Sequence, residues 1–110
     1  MSDPQPDDGE GPPDERPARA GGIVRILQIL NKKGLHARAS AKFVLTVERF
    51  DAEVTVTRGG ETVGGTSIMG IMMLSASPGT FIKVEATGLE ATACVEALSA
   101  LVAERFNEED

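Results

Sequence analysis

Within Gly34-Leu35-His36-Ala37-Arg38 stand the residues of this chain whose types and spacing could do chemistry. His36 is the only histidine among 110 residues. It stands between a glycine turn and a run, residues 37–50, with helical periodicity and no internal Gly or Pro. A helix start leaves backbone N–H groups unpaired and carries a partial positive charge, and together these bind anions. Arg38 adds a planar fork of donors matched to phosphate oxygens. A neutral imidazole is a nucleophile near pH 7. Nucleophile, backbone donors and fixed cation are the parts that phosphoryl transfer asks for, since its catalysis is mostly positioning and charge stabilisation. A capping histidine with no chemistry is the competing reading.

What is missing narrows the chemistry further. No GxxxxGK[ST] loop is present, and no second histidine or Ser-His-Asp set accompanies His36. An acceptor without a nucleotide site takes its phosphoryl group from another protein. Cys94 is the only cysteine, which excludes an internal disulfide, leaves a Cys-based metal site without partners and fits a reducing compartment. No metal or cofactor is expected. With no Trp, no Tyr and four Phe, base stacking is poorly supplied, so no nucleic-acid partner is expected. No apolar run approaches the ~20 residues of a membrane span, and the polar, proline-rich start is no signal peptide. A soluble cytoplasmic protein, without membrane insertion, is the expectation.

The net charge of −6 is carried by the ends of the chain. Asp3, Asp7, Asp8, Glu10, Asp14 and Glu15 face only Arg16 and Arg19 within residues 1–22, and Glu108, Glu109 and Asp110 close the sequence. The part between is near neutral. Residues 1–22 also hold five of the six prolines and almost nothing large and apolar, so they read as a disordered tail before a domain at 23–110.

Residues 23–30 form a β-branched and Leu-rich strand, and 31–34 break it. Residues 53–57 alternate, Gly59-Gly60 makes a tight hairpin turn, and 61–65 return as a partner strand. Residues 67–74 suit a two-turn helix stopped by Ser77-Pro78-Gly79. Residues 80–86 alternate, with Ile82, Val84 and Ala86 inward and Lys83 and Glu85 outward. Thr87-Gly88-Leu89-Glu90 has capping-box spacing. Behind it Ala91, Cys94, Leu98, Leu101 and Val102 form an apolar stripe that ends near Phe106. The order βαββαβα predicts an α+β open-faced sandwich, a four-stranded antiparallel sheet with three helices on one face.

Two segments carry a family resemblance. Gly34-Leu35-His36-Ala37-Arg38 resembles the active-site motif of the HPr family, the histidine-containing phosphocarriers of the bacterial phosphoenolpyruvate-dependent phosphotransferase system. Gly65-Thr66-Ser67-Ile68-Met69-Gly70-Ile71-Met72-Met73-Leu74 resembles its regulatory-serine segment. The resemblance spans about residues 23–106. It implies a βαββαβα fold, Nδ1 of His36 as phosphoryl acceptor, Arg38 beside it, enzyme I as donor and a IIA-type protein as acceptor. It also implies Ser67 as a target of HPr kinase/phosphorylase. Ala39 departs from the proline of many carbohydrate-branch members, and Ala39-Ser40 looks more like nitrogen-related members. Such a protein is a stoichiometric intermediate, monomeric, acting with partner enzymes rather than as a stand-alone catalyst.

Helical phase adds a docking surface. Ser40, Phe43, Val47 and Phe50 cluster toward the core, while Ala37, Ala41 and Leu45 form a second apolar stripe beside Arg38, Lys42 and Arg49. An apolar patch flanked by positive charge suits acidic partners, whereas a solvated face with tolerated alanines is the plain alternative. By resemblance Ile68, Met69 and Met72 face the partner and Leu74 is buried. Ser67 also suits the N-cap of its helix. Two other readings stand beside the phosphocarrier: a regulatory module whose state at His36 or Ser67 only selects its partners, and a small-ligand domain in which His36 is incidental.

Overall fold

The computed structural model describes residues 13–108. Alternating apolar residues make four strands, β1 (Ile23–Gln28), β2 (Glu53–Arg58), β3 (Glu61–Gly64) and β4 (Phe81–Thr87). They form one antiparallel sheet in the order β1-β4-β2-β3. Leu27 lies opposite Ile82, and Val84 opposite Val56, so these side chains share a face with Val54 and Ala86. All six are buried. Helices α1 (Ala37–Val47), α2 (Ile68–Met73) and α3 (Ala91–Ala103) cover that face, giving the open-faced α+β sandwich. The hairpin turns through Gly59 and Gly60, whose φ angles of +57° and +86° suit a two-residue turn between twisted strands.

Several boundaries differ from the sequence reading, each for a tertiary reason. β1 stops at Gln28 because Ile29 already bends to bond Thr80 and Gly79 through its N–H and carbonyl. α1 ends at Val47, and Phe50 packs on the core from the turn behind it. No capping box forms before α3. Thr87 is still in β4, Glu90 is the N-cap residue without a side-chain cap bond, and its carboxylate accepts the Asp51 N–H at 2.7 Å. α3 ends at Ala103, followed by a left-handed turn at Arg105–Asn107 with φ near +56°. That reversal drives Phe106 into the core, fully buried, and turns the chain back toward α1.

Of the segment read as a tail, residues 1–12 lie outside the described residues. Residues 13–22 contact the outer face of the sheet. Ala18 and Arg19 N–H groups donate to the two oxygens of Glu85, at 2.9 Å each. Lys83 donates to the Arg16 carbonyl at 2.6 Å, and the Arg19 guanidinium pairs with Glu53 at 3.2 Å. Glu85, placed outward by alternation, does point outward, yet it is only 2% exposed under this strap. Its burial pushes the carboxyl pKa up, but the two N–H donors with Lys83 and Arg19 outweigh that and hold it below the ordinary value.

A native pKa below the unfolded one means that the strap contact stabilises above the ordinary carboxylate range and is lost as pH falls through the lowered native value. Hydrogen exchange of the Ala18 and Arg19 amides, corrected for intrinsic rate, is expected to be protected at neutral pH. It should approach free-chain rates in strong acid, while the β4 amides remain protected.

Candidate functional site

The site is built where β1 leaves the sheet and enters α1. The turn is fixed at Gly34, whose φ is +64° and whose position leaves no room for a side chain against the Ala76 carbonyl. That same carbonyl accepts the Leu35 N–H at 2.9 Å, and Leu35 is buried. His36 is the N-cap of α1, with extended φ/ψ of −80° and −176°, and its carbonyl takes the first helical bond from Ser40. Ala39 is fully buried and helical, so alanine keeps the geometry at that position.

The imidazole is held at both nitrogens. Nδ1 accepts the Arg38 backbone N–H at 3.2 Å, so its lone pair faces the helix start. Nε2 is paired with Oε2 of Glu108, near the end of the described chain. Oε1 of Glu108 accepts from the amide of Asn31 at 3.0 Å, and the same amide nitrogen donates to the Gly34 carbonyl at 2.8 Å. Asn31 is fully buried and its Oδ1 has no partner among the described residues. A carboxylate on Nε2 and a donor on Nδ1 select one neutral tautomer, with the hydrogen on Nε2. Burial pushes the Glu108 carboxyl pKa up, and the bonds from Asn31 and His36 with the positive charge of Lys42 bring it below the ordinary carboxylate range.

Positive charge surrounds this pair. Lys32, Lys33, Arg38 and Lys42 line an open cleft of about 700 Å³ with His36 and Glu108. Arg38 is exposed, and its guanidinium makes no hydrogen bond among the described residues. Lys42, placed on the docking stripe, instead donates to the Phe106 carbonyl at 2.5 Å and so ties the C-terminal turn to α1. Arg49 lies over the Phe50 ring, 5.8 Å from its centroid. Among the described residues no three His, Cys, Asp or Glu side chains are grouped to hold a metal ion, and no helix is long and apolar enough to cross a membrane.

Ala37 and Leu45 are exposed and Ala41 is half-buried, so the second stripe of α1 does face outward. On α2, Ile71 and Leu74 are buried, Ile68 and Met69 are exposed and Met72 is half-buried. Met73, absent from the docking residues read by resemblance, is 69% exposed. Ser67 is the N-cap of α2, its hydroxyl accepting the Gly70 N–H at 2.9 Å. Cys94 is fully buried, and burial pushes its thiol pKa up, as befits inert packing. Sequence reasoning missed Glu108, Asn31, Lys32 and Lys33. Only the position of Asn31 before a glycine turn was a local signal.

Known proteins decide the family. The family model described as "PTS HPr component phosphorylation site" matches residues 23–104. The chain belongs to the HPr family. The phosphocarrier protein HPr of Neisseria meningitidis is 46% identical over 86 residues, which are 78% of this chain and 97% of that one. The phosphocarrier protein NPr of Shewanella violacea is 38% identical over 78% of this chain and 94% of that one. Among solved structures, HPr-C-His from Thermoanaerobacter tengcongensis superposes with a TM-score of 0.76 at 38% identity, covering 80% of this chain and 99% of the other. Family membership gives this HPr-family chain a phosphocarrier role in the phosphotransferase system. The strap of residues 13–22 lies before the family match.

Two substitutions test the site's construction. Gly34→Ala forces a side chain into the left-handed region against a carbonyl and is expected to cost at least about 2 kcal/mol in chemical denaturation. Glu108→Ala removes the Nε2 partner with little effect on the core. Imidazole ¹⁵N shifts should then move from a single Nε2–H tautomer toward a mixture.

Proposed function

We propose that His36 accepts a phosphoryl group on Nδ1 from phosphoenolpyruvate-charged enzyme I and passes it to a IIA-type protein or domain. The observation that carries this reading is the divided imidazole, with the Nδ1 lone pair at the N-terminus of α1 and Nε2 held by Glu108. As Nδ1 forms its bond to phosphorus, the bond between phosphorus and the donor atom breaks. The hydrogen stays on Nε2, so no proton has to leave the ring in that step. The ring gains positive charge as it is phosphorylated, and the Glu108 carboxylate offsets it as a buried aspartate does for a catalytic imidazolium.

The incoming oxygens meet donors that already exist. The Arg38 N–H, now on Nδ1, is free to turn to a phosphoryl oxygen once the lone pair is used, and the exposed Arg38 guanidinium supplies a second, charged contact. Transfer onward is the same step reversed, with the acceptor's nucleophile replacing Nδ1. Partners complete the chemistry, and Ala37, Ala41, Ile68, Met69 and Met72 are the surface on which they dock. Ser67 offers a regulatory point on that surface. A phosphate there adds about two negative charges beside the patch and repels an acidic partner.

Incubation with enzyme I and phosphoenolpyruvate should yield one acid-labile phosphoryl group per chain, absent from His36→Ala. Equal labelling of the substituted protein defeats the proposal. Arg38→Ala should slow labelling on the order of 10²-fold, the usual loss for one charge-stabilising donor. Ser67→Asp should retain labelling at saturating enzyme I but need a higher concentration of it.

A further inference from the structure

Asn31 is fully buried, and its amide is used on one side and idle on the other. Nδ2 donates to the Gly34 carbonyl at 2.8 Å and to Oε1 of Glu108 at 3.0 Å. Oδ1 is buried without a partner among the described residues. Turning the amide over would set Oδ1 against a carbonyl and a carboxylate, both acceptors, so its neighbours fix which way the donors point. Packing alone favours an apolar side chain at such a position, because an unpaired buried acceptor is costly. The two donors are what asparagine adds.

What they hold is the acid of a basic cleft. Among the described residues that line it, Lys32 and Lys33 come from the turn before α1, Arg38 and Lys42 come from α1, and Glu108 alone is acidic. The cations and the helix start favour phosphoryl oxygens but disfavour positive charge on the ring. Glu108 therefore acts against all of them, and its effect depends on Oε2 staying on Nε2. It stands one residue beyond the left-handed turn at Arg105–Asn107, which Lys42 ties to α1 through the Phe106 carbonyl. That tie fixes the backbone of the turn. The carboxylate itself is fixed by Asn31 at its other oxygen.

We infer that Asn31 is a positioning residue for phosphoryl transfer: by fixing Oε1 of Glu108 it holds Oε2 on Nε2, and so keeps the hydrogen on Nε2 of the phosphorylated ring. The consequence for transfer rests on the phosphocarrier reading, but the hold on Glu108 does not. The hydrogen matters in the outgoing step. When the bond between Nδ1 and phosphorus breaks, its electron pair returns to Nδ1, and the acceptor's nucleophile takes the phosphoryl group. With hydrogen on Nε2 the ring leaves as neutral imidazole. Without it the ring would leave as an imidazolate anion, a far poorer leaving group.

The experiment compares the full chain with Asn31→Leu, Glu108→Gln and the double variant. Without phosphorylation, imidazole ¹⁵N shifts in Asn31→Leu should move from the Nε2–H tautomer toward the mixture expected for Glu108→Ala. After labelling with enzyme I and phosphoenolpyruvate, Glu108→Gln should lose the Nε2 hydrogen about one to two pH units below the unsubstituted chain, and Asn31→Leu part of that way. Single-turnover transfer back to enzyme I in Asn31→Leu should be near the unsubstituted rate at about pH 6 and roughly three- to tenfold slower at about pH 9. The double variant should match Glu108→Gln. Unchanged ¹⁵N shifts and pH dependence in Asn31→Leu overturn the inference. So do effects that add in the double variant, which would place the role of Asn31 at the Gly34 carbonyl instead. Asn31→Ser, smaller and still polar, carries the same expectations where Asn31→Leu does not fold. If His36 of the unsubstituted chain takes no label, the phosphocarrier reading fails, and the tautomer comparison still decides whether Asn31 positions Glu108.

Discussion

At Gly34 the backbone of the turn sits directly against the Ala76 carbonyl, and a side chain cannot be placed between them. The rest of the site depends on that approach. It lets Leu35 bond Ala76 and bury its side chain, which brings His36 to the start of α1 as N-cap rather than into solvent. It also presents the Gly34 carbonyl to the buried Asn31 amide, which in turn holds Glu108. A turn, a helix start and a chain end are thus coupled through one close contact. Removing one member of such a network leaves a buried polar group unpaired, which costs more than an apolar replacement of both partners.

The His36 arrangement resolves a conflict between nucleophilicity and charge. An imidazole used twice in succession, as acceptor and then as donor, must keep one nitrogen available and must tolerate the positive charge of the phosphorylated ring. A helix start alone favours the anion that arrives but disfavours that ring charge. The Glu108 carboxylate supplies the compensation on the far nitrogen, away from the approaching phosphoryl group. Its own pKa, drawn below the ordinary carboxylate range, keeps it charged at neutral pH.

Local signals in the sequence reached local structure. The Gly59-Gly60 turn, the alternation in β2 and β4 and the start of the helix after His36 all depend on neighbours within a few residues, and all form as read. Gly34, His36 and Arg38 share one short segment, so their juxtaposition is legible for the same reason. Glu108 is 72 residues from His36 and belongs to an acidic end that composition presents only as charge. Its placement follows from the left-handed turn at Arg105–Asn107, at residues with no glycine to announce it; what compels the turn is the burial of Phe106. The supposed capping box failed for a similar reason, because the Asp51 N–H claims the Glu90 carboxylate from another element. Glu85 shows the limit of alternation, which assigns a face of the sheet but not what covers it.

Charge at the two ends of the chain is therefore not one property. The acidic C-terminus spends Glu108 inside the site, where Asn31, His36 and Lys42 surround it, and the cations of the cleft still outnumber it. At the other end, Arg16 and Arg19 interrupt the acids where the chain meets the sheet. Arg19 pairs with Glu53, and the backbone N–H groups, rather than an acid, face Glu85. Had acids stood at residues 16–19 as well, they would have met Glu53 and Glu85 with like charge. The change in charge at residues 16–19 is thus what electrostatics requires for an acidic extension to dock on a sheet face that already carries two carboxylates.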